Sequence, residues 1–159
     1  MRKIISVILV ACWMVLIFNF SSMPGGESNS LSMRIVDFSV NIFGQERASM
    51  IDVETLNIII RKMAHFSLYA ILAGLILNMV RSFGWRISWK VRGIVVGCCF
   101  LYACTDEFHQ LFTGRTGAFT DVLIDTLGAF VMVFAIYLFG VVWRRIRGSG
   151  LWVFNRGGT

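Results

Sequence analysis

The chain has 159 residues, 57% of them hydrophobic and 15% charged, with a mean hydropathy of +0.73 and a single proline. A soluble domain of this length would be closer to half apolar, so the composition excludes an ordinary water-soluble globule and indicates a membrane protein. The formal charge of +6 does not gather into one basic patch, so nucleic acid is not an expected partner.

Ile4 to Phe20 is a 17-residue apolar run whose polar interruptions are Ser6 and Asn19. At 1.5 Å per residue it reaches about 25 Å, just enough to cross the hydrocarbon layer. Arg2 and Lys3 in front of it also suit a signal peptide, and Leu9-Val10-Ala11-Cys12 resembles a lipoprotein cleavage box. The run before Cys12 is short and the apolar stretch continues well past it, so an uncleaved first span is expected.

Residues 21–62 form the long polar connection. Pro24, Gly25 and Gly26 supply turn chemistry, Leu31, Ile35, Phe38 and Ile42 fall at helical spacing, and Ile51 to Ile60 restarts a helical pattern after Gly44. This reads as an amphipathic helical segment lying on the membrane or covering the helix ends. Further spans are expected at about 63–80, 93–112 and 121–143, with a basic loop at 81–92 anchored by Trp85 and Trp89. Cys12, Cys98, Cys99 and Cys104 all sit in apolar runs and read as buried structural thiols. The expected fold is all-α: a polytopic membrane protein with four transmembrane helices, one integral membrane domain over residues 1–159.

Orientation follows from the basic residues. Arg2, Lys3, Arg81, Arg86, Lys90, Arg92, Arg144, Arg145, Arg147 and Arg156 fall on one side, ten in all with no acidic residue, and the other side has five basic residues and all nine acidic ones. The positive-inside rule places both termini in the cytoplasm of a cell membrane and the acidic cluster on the outer face.

Hydrophobic matching then brings four sets of polar groups to one outer level. The first span exits at Asn19, Ser21 and Ser22. The second enters with Lys62, His65 and Tyr69, which share a helix face at offsets of three and seven. The third exits with Asp106, His109 and Gln110 on one face and Glu107 turned about a quarter of the way round. The fourth enters with Asp121 and Asp125, and between the third and fourth spans Arg115 sits on a glycine-flanked loop.

Each group also has a plain structural reading. Arg61 and Lys62 would snorkel to head groups, His65 would hydrogen-bond at the interface, and Asp121 would cap a helix. An Arg115 network with Asp106 and Asp121 would neutralise the acids without chemistry. Asp106 and Glu107 resist dismissal, because adjacent carboxylates inside an apolar helix end need partners. His109 lies among apolar residues and receives no role. His65, Asp106, Glu107, Asp121 and Asp125 could ligate a hard divalent ion, but no compact metal-ligand spacing is present and a guanidinium among the carboxylates would neutralise them without metal, so neither a metal nor another cofactor is expected.

Three phrases carry a family resemblance: FNFSSMPGGESNS (Phe18 to Ser30), RKMAHFSLYAILAG (Arg61 to Gly74) and DEFHQLFTGRTGAFTDVLIDTLGA (Asp106 to Ala129). Over nearly its whole length the chain resembles VanZ-like membrane proteins, and the last phrase is the most diagnostic. Thr113 departs from the proline common before Gly114 and would loosen the loop carrying Arg115. The resemblance implies an association with resistance to teicoplanin, a lipid-tailed glycopeptide, and leaves the biochemical activity open.

Three functions fit the residues. An enzyme would act on a lipid-linked envelope intermediate or an outer-leaflet lipid. Arg115 would hold a phosphate or carboxylate, Asp106 or Glu107 and His65 would transfer protons, and Gln110 would orient the substrate. Ser21, Ser22, Lys62, Tyr69, Asp121 and Asp125 would complete its binding surface. A binder or scaffold would use the same pocket to hold a lipid, a lipoglycopeptide or a partner protein. An ion or proton path is weaker, because no charges continue through the cytoplasmic halves of the spans.

Overall fold

The computed structural model describes residues 1–21, 53–110 and 119–153, and these contain four helices and no strand. They are α1 (Arg2–Ser21), α2 (Val53–Ser82), α3 (Trp89–Gln110) and α4 (Phe119–Val153). Residues 31–52 of the expected amphipathic segment lie outside the described residues, as do the candidate site residues Ser22 and Arg115.

Three helices are long and apolar enough to cross a membrane: α1, the Ile58–Ser82 part of α2 and the Phe119–Arg147 part of α4. α3 is not among them. Lys90 and Arg92 at its start, and Asp106, Glu107, His109 and Gln110 at its end, dilute an apolar middle. Two boundaries differ from expectation. α2 is one continuous helix of 30 residues, so no break separates the Ile51–Ile60 pattern from the second span. Arg61 and Lys62 are good helix formers that change polarity without ending a helix. α4 likewise runs 35 residues, straight through the arginines after Trp143. There the Arg144 Nε donates to the Gly140 carbonyl at 3.0 Å, and the Arg147 guanidinium lies 5.2 Å from the Trp143 ring centroid.

The turn between α2 and α3 is built from local signals. Gly84 takes a φ of 81°, its N–H reaches the Arg81 carbonyl at 2.9 Å, and the Trp85 N–H reaches Val80 at 3.3 Å. This double bond satisfies carbonyls that the end of α2 would otherwise leave open. Ser88 then caps α3, accepting from the Val91 N–H at 3.3 Å.

Cross-helix contacts fix the directions. The hydroxyls of Ser6 and Ser82 are 2.8 Å apart, so the start of α1 meets the end of α2. Farther along, Trp13 Nε1 donates to the Leu68 carbonyl at 2.9 Å, and the Tyr102 hydroxyl donates to the Met14 carbonyl at 2.7 Å. α1 and α3 therefore run one way, and α2 and α4 the other. α2 packs against all three other helices, most extensively against α4.

Lipid tails are as apolar as leucine, so burial alone gives little drive for helices to associate in a membrane; close packing and interhelical hydrogen bonds must do so. The core accordingly mixes large and small residues: Ile17, Tyr69 and Leu72 with Ala73, Cys99, Ala103 and Ala129, none more than 1% exposed. Gly128 brings α4 against the backbone of α2 at Phe66. The thiols depart from expectation: Cys99 is buried, but Cys12 and Cys98 are exposed on apolar surface and Cys104 is half-buried. Apolar runs in a membrane helix face lipid as readily as core, so residence in such a run does not imply burial.

Candidate functional site

The alternating helix directions bring the end of α1, the early part of α2, the end of α3 and the start of α4 to one end of the bundle. A narrow cleft there, of about 10 Å³ and so with room for about one water, is lined by Arg61, Lys62 and His65 of α2, Glu107 and Gln110 of α3, and Asp121, Ile124 and Asp125 of α4. Each helix offers these residues at spacings of three or four, so one face of each turns inward.

The rim is an ion pair. Lys62 Nζ donates to Asp121 Oδ1, with both side chains about a quarter to a third exposed. Asp121 lies inside the first turn of α4, which begins at Phe119, so it is not the cap the sequence allowed for. Its charge still suits the positive end of the helix dipole. Deeper, His65 Nδ1 stands 3.7 Å from Asp125 Oδ2, and the Asp125 side chain is only 4% exposed. That separation is an ion-pair distance when His65 is protonated and too long for a hydrogen bond.

Ser21 and Gln110 close the α1 side. Both are buried, and Gln110 Nε2 donates to the Ser21 hydroxyl at 2.6 Å. Asp106, one turn before Gln110, is 2% exposed, and neither carboxyl oxygen has a hydrogen-bond partner among the described residues. Ser21 approaches this carboxyl without completing a well-formed bond to it. The Tyr69 hydroxyl and Asp125 Oδ1 are also buried and without such a partner. Tyr69 is fully enclosed, its ring 6.0 Å from that of Tyr102. Buried polar atoms in folded proteins are nearly always hydrogen-bonded, and four side chains at one end of one bundle, His109 with its Nδ1 included, each with a buried atom lacking a partner among the described residues, form a concentrated exception.

The grouping modifies the sequence reading in several places. Glu107, expected off the main face, lines the cleft, whereas Asp106 is buried outside its lining. Arg61, read as a head-group contact, also lines it. Its signal was the i, i+4 spacing to His65. Asn19 does not join the site; its amide donates to the Val15 carbonyl of its own helix at 2.8 Å. His109 packs on Phe18 with ring centroids 4.4 Å apart and ties α3 to α1. Among the described residues, no three His, Cys, Asp or Glu side chains are arranged to hold a metal ion.

In chemical terms the arrangement is amphoteric. Cationic donors at Arg61 and Lys62 lie at the mouth, and carboxylate acceptors lie around and below them. Such a layout can receive a polar group that carries both a negative charge and hydrogen-bond donors.

Comparison with family models matches the chain to the family described as VanZ/LLP1, over residues 6–140. That range takes in all of the cleft-lining residues. Comparison with curated proteins and with solved structures gives no match.

Proposed function

The chain belongs to the VanZ/LLP1 family of membrane proteins, and we propose that its cleft receives the polar head of an amphiphile on the outer face of a cell membrane. The amphiphile is a lipid-linked envelope intermediate or an outer-leaflet lipid. The observation that carries the reading is Asp106, a carboxyl buried to 2% exposure with neither oxygen hydrogen-bonded among the described residues. Ionisable groups within membrane helices are costly and are retained for pathways and sites. Asp106 lies one turn before the cleft-lining Gln110, so a head group that widens the narrow cleft past that wall would satisfy Asp106 together with Asp125 Oδ1.

In this reading α3 is a fourth span. Its exposed residues Ile94, Leu101 and Phe108 form a stripe at heptad spacing, each more than 60% exposed, while Asp106 and Gln110 turn inward. An apolar stripe of that kind faces hydrocarbon. The charge distribution supports the orientation with both termini cytoplasmic and the cleft outward.

The chemistry is proton transfer: Asp106 or Glu107 exchanges a proton with the bound head group, and His65, poised beside Asp125, is the second proton carrier. Arg115, which falls between α3 and α4 in the sequence, holds the anionic part. A second reading, holding without turnover, is favoured by the Lys62–Asp121 pair, which occupies the rim as a closed structural contact.

The site is tested by placing a photo-crosslinking residue at Ile124, in the cleft, and at Leu101, on the exposed stripe. An amphiphile captured at 124 but not at 101, and lost when Asp106→Asn is added, supports the site. Identical capture at both positions contradicts it. The captured molecule, reconstituted with wild-type protein, separates turnover from holding by whether it is converted.

A further inference from the structure

Two open grooves lie at the opposite end of the bundle. One of about 660 Å³ runs between α2 and α4, walled by Gly74, Leu77, Phe139, Gly140 and Trp143. A second, of about 350 Å³, runs between α1 and α2, walled by Ile5, Ser6, Leu9 and Arg2. Asn78 and Arg81 of α2 line both.

The cations at this end are not equivalent. Lys3 lies over the Phe83 ring at 5.5 Å, Arg92 lies between the Trp89 and Tyr137 rings, Arg147 lies on Trp143 and Arg144 bonds to Gly140. The side chains of Arg2, Arg81 and Asn78 make no hydrogen bond, ion pair or ring contact among the described residues. Among the described residues no carboxylate takes them, since Asp106, Glu107, Asp121 and Asp125 all lie at the cleft end of the bundle. Asn78 is exposed although it lies in the apolar Ile58–Ser82 segment, where lipid tails offer an amide no partner. Arg81 is one turn farther along the same face.

We propose that Arg81, Arg2 and Asn78 form a binding site for an anionic phospholipid in the leaflet opposite the cleft. The phosphate sits between the two guanidinium groups, which suit it as two-pronged donors. The Asn78 amide bonds to the ester region one turn deeper, and the acyl chains follow the two grooves on either side of α2. Basic pockets between membrane helices bind such head groups by this combination of charge and apolar wall. Trp143 and Trp85 mark the interfacial level at which the phosphate lies. The site is separate from the cleft and does not depend on the function assigned there.

Native mass spectrometry of the full chain, delipidated and then mixed with phosphatidylglycerol or phosphatidylcholine, tests the site. The wild type retains phosphatidylglycerol in preference. Arg81→Gln lowers that retention about fivefold, the share expected of one basic residue near a membrane surface, while Arg81→Lys keeps most of it. Gly140→Leu blocks the larger groove; a Cβ at residue 140 meets nothing within 4 Å, so the helix tolerates it. This variant loses retention while its thermal unfolding is not lowered. Inorganic phosphate alone, added in excess, does not displace the lipid. Equal retention of the two lipids, an Arg81→Gln protein that holds phosphatidylglycerol like the wild type, retention undiminished in Gly140→Leu, or displacement by phosphate would each overturn the proposal.

Discussion

Gly128 of α4 packs directly on the carbonyl of Phe66 of α2, and a Cβ at residue 128 would overlap that oxygen. The overlap is with backbone, which cannot swing aside as a flexible side chain can. This contact lies one turn beyond Asp125 and fixes how closely the two helices bearing Lys62, His65, Asp121 and Asp125 approach. Gly128→Ala is therefore expected to destabilise the bundle by about 1–3 kcal/mol, the usual cost of overpacking. Gly140→Ala, with open space around the new methyl, should instead gain up to about 1 kcal/mol from helix propensity. Thermal unfolding of the two purified variants in the same detergent checks the contrast; equal behaviour would remove the close approach from the account.

The lateral ties to α1 make a second prediction. Tyr102→Phe deletes the interhelical hydrogen bond to Met14 with little change of shape, whereas Trp13→Phe deletes the bond to Leu68 and also shortens a ring packed against the core. Such bonds in membrane proteins are worth about 0.6 kcal/mol on average. Tyr102→Phe should lower stability by roughly that amount, on the order of 1 kcal/mol at most, and Trp13→Phe by more, through the packing it gives up. Because they tether different helices, the double variant should show near-additive loss. A loss several times larger in Tyr102→Phe would mean that the ring, not the bond, does the holding.

How much of this was legible in the residues differs from element to element. The apolar runs located α1, α2 and α4, because hydrocarbon length imposes the same requirement on every spanning helix. Their ends were less legible. Arg61 and Lys62 change polarity and so ended the hydropathic run, but nothing in their chemistry ends a helix, and α2 continues back to Val53. The convergence of Ser21, His65, Gln110 and Asp125 could be inferred from depth alone. Which carboxylate of the Asp106–Glu107 pair would be buried could not, because that depends on the rotation of α3 against its neighbours. The Gly128–Phe66 contact was likewise invisible, since a helical glycine in a sequence does not reveal what stands opposite it.

The rim pair is expected to matter modestly. Lys62 and Asp121 are partly exposed, and exposed pairs give about 0.2–1 kcal/mol in double-mutant cycles. A cycle of Lys62→Ala and Asp121→Ala should give a coupling in that range, and the charge-reversed pair Lys62→Asp with Asp121→Lys should recover part of it. Full independence of the two substitutions would exclude the pair as a structural element of the rim.

Orientation has its own readout. A reporter active only outside the cytoplasm should be active when fused after Gly117 and inactive when fused after Ser88. The opposite pattern would reverse the cleft's side and the leaflet assigned to the Arg81 site together.

The most direct measurement concerns Asp106→Asn, made at normal membrane levels and examined in two ways on the same purified sample. An amide matches the carboxyl in shape but removes an acid that has no hydrogen-bond partner among the described residues. If Asp106 is kept for a ligand, the variant should unfold at the same temperature as the wild type or above it, while its co-purifying amphiphile, detected by mass spectrometry, is lost. If Asp106 is a structural residue, stability should fall and the bound amphiphile should be retained by whatever fraction remains folded; that result would contradict the assignment of the cleft.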